Sequence, residues 1–144
     1  MKKSLFLLLL LSISNIAYTQ SGLYQTSKTR TKDESFELYQ KSLFSASKYE
    51  FEALKESELD PESRVDADFF HAVSALKIEN PAASDLVYYF IRQYPEHPKT
   101  NEAAHILGDF FFDKRNYREA IPAYQKVNLA KVDFEQGSEV LFKT

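Results

Sequence analysis

Residues 104–127, AHILGDFFFDKRNYREAIPAYQKV, decide how the chain is read. Ala104, Leu107, Gly108 and Phe111 recur at the i, i+3, i+4, i+7 spacing that lines one face of a helix. Tyr117, Ala120, Ile121, Tyr124 and Val127 repeat that spacing after a polar break. Asp113-Lys114-Arg115-Asn116 supplies the break as a turn, with Asn116 placed to cap the second helix. Gly108 and Ala120 are small enough to let two helix backbones approach. A helical glycine costs about 1 kcal/mol unless packing compensates for it. Two apolar stripes flanking a short polar turn predict a helical hairpin. Pro122 falls inside the second helix, where it removes one backbone hydrogen bond and can kink the rod.

Towards the N-terminus the same kind of signal recurs. Asp60-Pro61-Glu62 combines an N-cap, a proline at the first helical position and an acid favoured by the helix dipole. The helix that follows carries Val65, Phe69, Ala72, Val73 and Leu76 on its buried side. Asn80-Pro81 ends it and opens another, with Ala83, Leu86, Val87, Phe90 and Tyr94 facing inward before Tyr94-Pro95 stops it. Between Phe36 and Leu54 the apolar residues keep helical spacing, and Thr31 with Glu34 fits a capping box. From the spacing alone this segment reads as one long helix or as a pair breaking near Ser45-Ala46-Ser47. The proline-bounded starts at Pro61 and Pro98 stand 37 residues apart.

Leu107-Gly108, the aromatic at Phe111, then Tyr117, Ala120 and Tyr124 resemble a tetratricopeptide repeat, whose usual period is about 34 residues. Residues 90–108, FIRQYPEHPKTNEAAHILG, are similar to the junction between repeats in bacterial envelope proteins of that family. Two positions depart from it. Ala104 stands where the family usually has a bulky aromatic, and Arg115 where it often has glycine. The resemblance spans residues 34–144 and is strongest over 81–127; it favours a pair of helices between Phe36 and Leu54, with Lys48-Tyr49 starting the second. It implies an all-α, right-handed α-solenoid of antiparallel helix hairpins, with Ala104, Leu107, Gly108, Phe111, Tyr117, Ala120 and Tyr124 as its packing signature. It also implies a non-catalytic protein-interaction scaffold of the cell envelope, as in outer-membrane assembly or Tol–Pal-associated proteins. By helical phase, Glu102, His105, Asp109, Phe112 and Asp113 would face the partner-binding groove. That acidic set around one aromatic suits a partner segment carrying Lys or Arg beside an apolar anchor. It lacks the Lys and Asn residues with which one subclass grips a C-terminal carboxylate.

The two ends of the chain differ from this middle. Lys2 and Lys3 precede an apolar run from Leu5 that fades by Asn15, and Ala17-Tyr18-Thr19 offers a peptidase site before Gln20. Residues 1–19 therefore read as a signal peptide, because a spanning helix needs about 20 apolar residues. Residues 20–33 read as a polar, flexible leader. The predicted location is the periplasm, either free or peripheral to the outer membrane. At the other end, Asp133 to Phe142 opens a further helix just before Thr144, which suggests a repeat region continuing past this point.

Composition narrows the function. Without Lys2 and Lys3 there remain 16 basic against 21 acidic residues, a net charge of −5, unsuited to nucleic acid or anionic lipid. The chain has no cysteine, so it forms no disulfide and carries no lipid anchor on a mature N-terminal Cys. No phosphate-binding loop, Gly-x-Ser-x-Gly turn or Cys nucleophile is present. His71, His97 and His105 form no i, i+4 pair of imidazoles, so neither metal nor cofactor is expected. Two further readings are an N-terminal helical domain of an exported enzyme or carbohydrate-processing component, with chemistry beyond residue 144, and an adaptor that self-associates through Tyr and Phe.

Overall fold

The computed structural model describes residues 31–57 and 59–144, so the signal-peptide reading and all but the end of the leader lie outside the described residues. Seven α-helices account for the described fold: α1 (Lys32–Gln40), α2 (Phe44–Leu54), α3 (Pro61–Lys77), α4 (Ala83–Gln93), α5 (Lys99–Asp113), α6 (Tyr117–Tyr124) and α7 (Phe134–Lys143). A 3₁₀ turn, Leu129–Lys131, precedes α7, and no strand occurs among the described residues. The protein is all-α. None of the described helices is long and apolar enough to cross a membrane.

Local sequence explains most of the starts. Thr31 and Glu34 close a full capping box on α1: the Glu34 N–H donates to Thr31 Oγ1 and the Thr31 N–H to Glu34 Oε2. Asp60 accepts from the Ser63 N–H to cap α3, and Asp133 accepts from Gln136 to cap α7. Two expected caps shift. Asn80 accepts from the Ala82 N–H and holds Pro81-Ala82 as a turn, so α4 begins only at Ala83. Asn116 stands at the N-cap of α6, but its side chain makes no capping bond.

The helix ends reveal a regularity. Among non-glycine residues, positive φ occurs at Ser42 (59°), Glu79 (52°) and Arg115 (56°). These positions follow α1, α3 and α5 and stand 37 and 36 residues apart. At each, two backbone bonds close the same Schellman pattern. Leu43 donates to Leu38 and Ser42 to Tyr39; Asn80 donates to Ala75 and Glu79 to Leu76; Asn116 donates to Phe111 and Arg115 to Phe112. Three times the chain leaves a first helix through one left-handed residue and turns into its neighbour. The α1–α2 boundary therefore falls at Lys41–Leu43, ahead of the Ser45-Ala46-Ser47 break, and α2 starts at Phe44 rather than at Lys48-Tyr49.

Each helix packs on the next, and the first helices of successive hairpins also touch, α1 on α3 and α3 on α5. The main core joins Val65, Phe69, Val73 and Leu76 of α3 to Val87 and Phe90 of α4 and to Ala103 and Leu107 of α5. A second cluster puts Ala104 against Ala120, Tyr124, Val127 and Val140, so α5 has apolar contacts on two sides. Of the expected packing signature, Ala104, Leu107, Gly108, Ala120 and Tyr124 are buried and Phe111 is half-buried. Tyr117 departs: half of it is exposed, with its ring edge against Phe112. Leu43 and Tyr49 are exposed too, because the turn at Ser42 breaks the phase that a single helix would keep. Gly108 has a specific reason. A Cβ there would stand only 2.8 Å from Tyr124 Cγ and closer still to two other ring carbons. It is thus the ring of Tyr124, rather than Ala120, that requires the missing side chain.

Candidate functional site

The first helices α1, α3 and α5 build one continuous face, and ion pairs tie them together. Asp66 in the middle of that face meets Lys32 of α1 at 3.1 Å and Lys99 of α5 at 2.9 Å. Burial pushes the Asp66 carboxyl up, but the two ammonium groups outweigh it and hold it below its ordinary value. Beneath these charges a cavity of about 300 Å³ has Phe36, Phe51 and Phe70 as its apolar lining.

A larger cleft of about 460 Å³ opens between the C-terminal halves of α3 and α5. Leu76, Ile106 and Phe110 give it an apolar floor, while Lys77, Asp109 and Asp113 stand at its rim. Lys114 closes one end, paired with Glu79 at 2.6 Å and lying 4.9 Å over the Phe110 ring. The cleft has the dimensions of a ligand pocket and an apolar floor with charged edges.

On the far side of α5 a polar seam meets α7. Asp109 Oδ1 accepts from the Tyr124 hydroxyl at 2.6 Å and from Lys143 Nζ at 2.8 Å. Lys143 also donates to Glu139 Oε1 at 2.6 Å. His105 lies between the two carboxylates, with Nδ1 3.4 Å from Asp109 Oδ2 and Nε2 3.5 Å from Glu139 Oε2. Burial and the Asp109 carboxylate both push the Tyr124 hydroxyl well above its ordinary value. For Lys143, burial opposes the charge, but bonds to Asp109 and Glu139 prevail and raise its pKa.

The five residues expected to share a groove are thereby divided. Asp113 is exposed at the rim of the α3–α5 cleft, and Asp109 lines that cleft while also bonding to α7. His105 and Phe112 face the α7 seam, the latter with Lys143 5.1 Å over its ring. Phe112 is half-buried rather than an exposed anchor. Glu102 is exposed one turn before His105 and close enough to Tyr39 of α1 to act on its hydroxyl electrostatically. Sequence reading missed Lys32, Asp66, Lys99, Glu139 and Lys143, whose partners lie 33 to 34 positions away or on another helix. Only the tendency of first helices to align once per hairpin could have suggested them.

The remaining buried imidazole belongs to the α2–α3 contact. His71 is 4% exposed, with Nδ1 3.4 Å from Lys55 Nζ and Nε2 3.9 Å from a Glu52 oxygen. Burial, reinforced by Lys55 and Lys48, pulls its pKa down to about 4, so it is neutral at pH 7. It lines neither the cavity nor the cleft described above.

Comparisons with protein-family models, with curated proteins and with solved structures give no match. Fold and site therefore define a class only: an all-α protein of successive helical hairpins whose first helices share one cleft-bearing face.

Proposed function

We propose that this protein is a non-catalytic scaffold of the bacterial cell envelope, built as a tetratricopeptide-like right-handed α-solenoid and acting by holding other proteins. What carries the reading is the recurrence of one hairpin exit at Ser42, Glu79 and Arg115, which sets α1, α3 and α5 side by side. A helical array of this kind presents its first helices as an extended binding face. The α3–α5 cleft suits an extended or helical partner segment that inserts an apolar side chain over Ile106 and Phe110. A Lys or Arg of the partner then meets Asp113, for which no ion pair occurs among the described residues. Export to the periplasm, on the strength of the signal-peptide reading of residues 1–19, completes the proposal.

The test is a peptide array of Lys- or Arg-flanked apolar segments probed with the purified protein, followed by affinity measurement. Asp113→Lys, at an exposed position, is expected to weaken the best binders about tenfold, near 1.4 kcal/mol. Affinities unchanged by that reversal, with circular dichroism reporting a folded chain, would remove the cleft from the proposal. A second reading, self-association, is favoured by the exposure of Tyr49 (66%), Leu141 (64%) and Phe142 (89%). Light scattering across a concentration series checks it, and a constant monomer mass excludes it.

A further inference from the structure

We infer that His105, Asp109 and Glu139 form a divalent transition-metal site that staples α7 to α5. Sequence reading expected no metal because the histidines form no i, i+4 pair with each other. The fold supplies what that search omitted. His105 and Asp109 are themselves one helical turn apart on α5, so both side chains project from one strip of its surface. Glu139 arrives from α7, 34 residues after His105, and one ligand atom from each of the three residues lies within 4.8 Å of the others.

Three observations point to a cation between these groups. First, His105 Nε2 and Glu139 Oε2 stand 3.5 Å apart. A tetrahedral Zn²⁺ with bonds of about 2.0–2.2 Å holds neighbouring ligand atoms about 3.4 Å apart. Second, His105 Nε2 is enclosed and without a hydrogen-bond partner, although its side chain is only 14% exposed. An enclosed, unpartnered nitrogen is uncommon in a folded protein, and an ion is one group that satisfies it. Third, the other oxygens of both carboxylates are already held. Tyr124 and Lys143 bond to Asp109 Oδ1 and Lys143 bonds to Glu139 Oε1, leaving Glu139 Oε2 beside the ring's Nε2 and Asp109 Oδ2 beside its Nδ1. An ion on Nε2 therefore takes Oε2 directly and draws in the Asp109 carboxyl by rotation. The bonds to the other oxygens are the outer-shell support by which proteins orient metal ligands. Lys143 also lowers the negative charge of the cluster. One imidazole and two carboxylates favour Zn²⁺, Co²⁺ or Ni²⁺ over Mg²⁺ and Ca²⁺, which prefer all-oxygen shells.

The titratable groups at the site are His105 and Asp109 on α5, Tyr124 on α6, and Glu139 and Lys143 on α7, so protons compete with the metal. Calorimetric titration of the full chain with ZnCl₂ at pH 7.5 is expected to show one saturable site per chain, accompanied by a rise in Tm. At pH 5.5, where protons compete with the ion for its ligand atoms, binding weakens by about tenfold or more. Glu139→Gln and His105→Gln each weaken it by at least about tenfold. Because a variant can lose α7 packing, the unaltered chain is also loaded with Co²⁺. A visible absorption band of a four-coordinate ion, discharged by one equivalent of Zn²⁺, is expected there. Absence of saturable Zn²⁺ binding overturns the assignment. So does an affinity that neither variant lowers, which would place the ion elsewhere.

Discussion

Replacing Gly108 by alanine sets helix propensity against packing, and the geometry decides the sign. In an exposed helix interior the change would stabilise by about 1 kcal/mol. Here the added Cβ would lie 2.8 Å from Tyr124 Cγ and still nearer the ring edge, against a side chain that is 0% exposed. The ring has no free space to enter, so α6 must move away from α5, at an overpacking cost of about 1–3 kcal/mol. Displacing the ring also strains the 2.6 Å bond from the Tyr124 hydroxyl to Asp109, a charge-assisted contact worth about 1.5–3 kcal/mol. The balance is a loss of about 2 kcal/mol, or roughly 10 °C in Tm for a domain of this size. Gly137→Ala provides the internal control. Its Cβ would meet Val132 and Leu129 side chains at 3.7 and 3.9 Å, ordinary contact distances. It should therefore keep most of the propensity gain, up to about 1 kcal/mol. Urea unfolding followed by circular dichroism measures both variants. The reasoning fails if Gly108→Ala matches or exceeds the unaltered protein, or if both substitutions shift stability in the same direction.

Two further predictions concern the hairpin exits and the buried imidazole. Glycine at Ser42, Glu79 or Arg115 relieves a left-handed backbone, a strain of about 1–2 kcal/mol, against the entropy cost of glycine. Each single change should raise Tm by a few degrees, and a uniform fall would contradict the shared geometry. His71 has a folded pKa of about 4, below its ordinary value of 6.5, so the unfolded chain takes up a proton first as pH falls. No penalty exists above pH 6.5; stability then declines to about pH 4, by about 3 kcal/mol in all. Urea midpoints measured across that window should slope less in His71→Gln than in the unaltered protein.

How legible all this was depends on whether the signal was local. Asp60-Pro61, Tyr94-Pro95 and Leu107-Gly108 mark boundaries and close approaches by their own chemistry, and the structure places helices where they indicate. The α1–α2 break was hidden because Ser42, not glycine or proline, takes the left-handed conformation. Tyr117 misled because a stripe phase says which face is apolar and not how far a terminal aromatic is covered. The groove set was drawn from the phase of α5 alone, whereas Glu139 and Lys143 reach that face from α7. No pattern within α5 encodes that approach.

Asp66 has a consequence for how the chain comes apart. One carboxylate, 17% exposed, clasps an ammonium group from the hairpin before its own and another from the hairpin after it. Peeling away either neighbour leaves half of that clasp empty in a poorly hydrated place, so fraying at one end is felt in the centre. A string of otherwise separable units acquires a common knot, and hydrogen exchange in α1 and α5 should respond together when it is untied by Asp66→Asn.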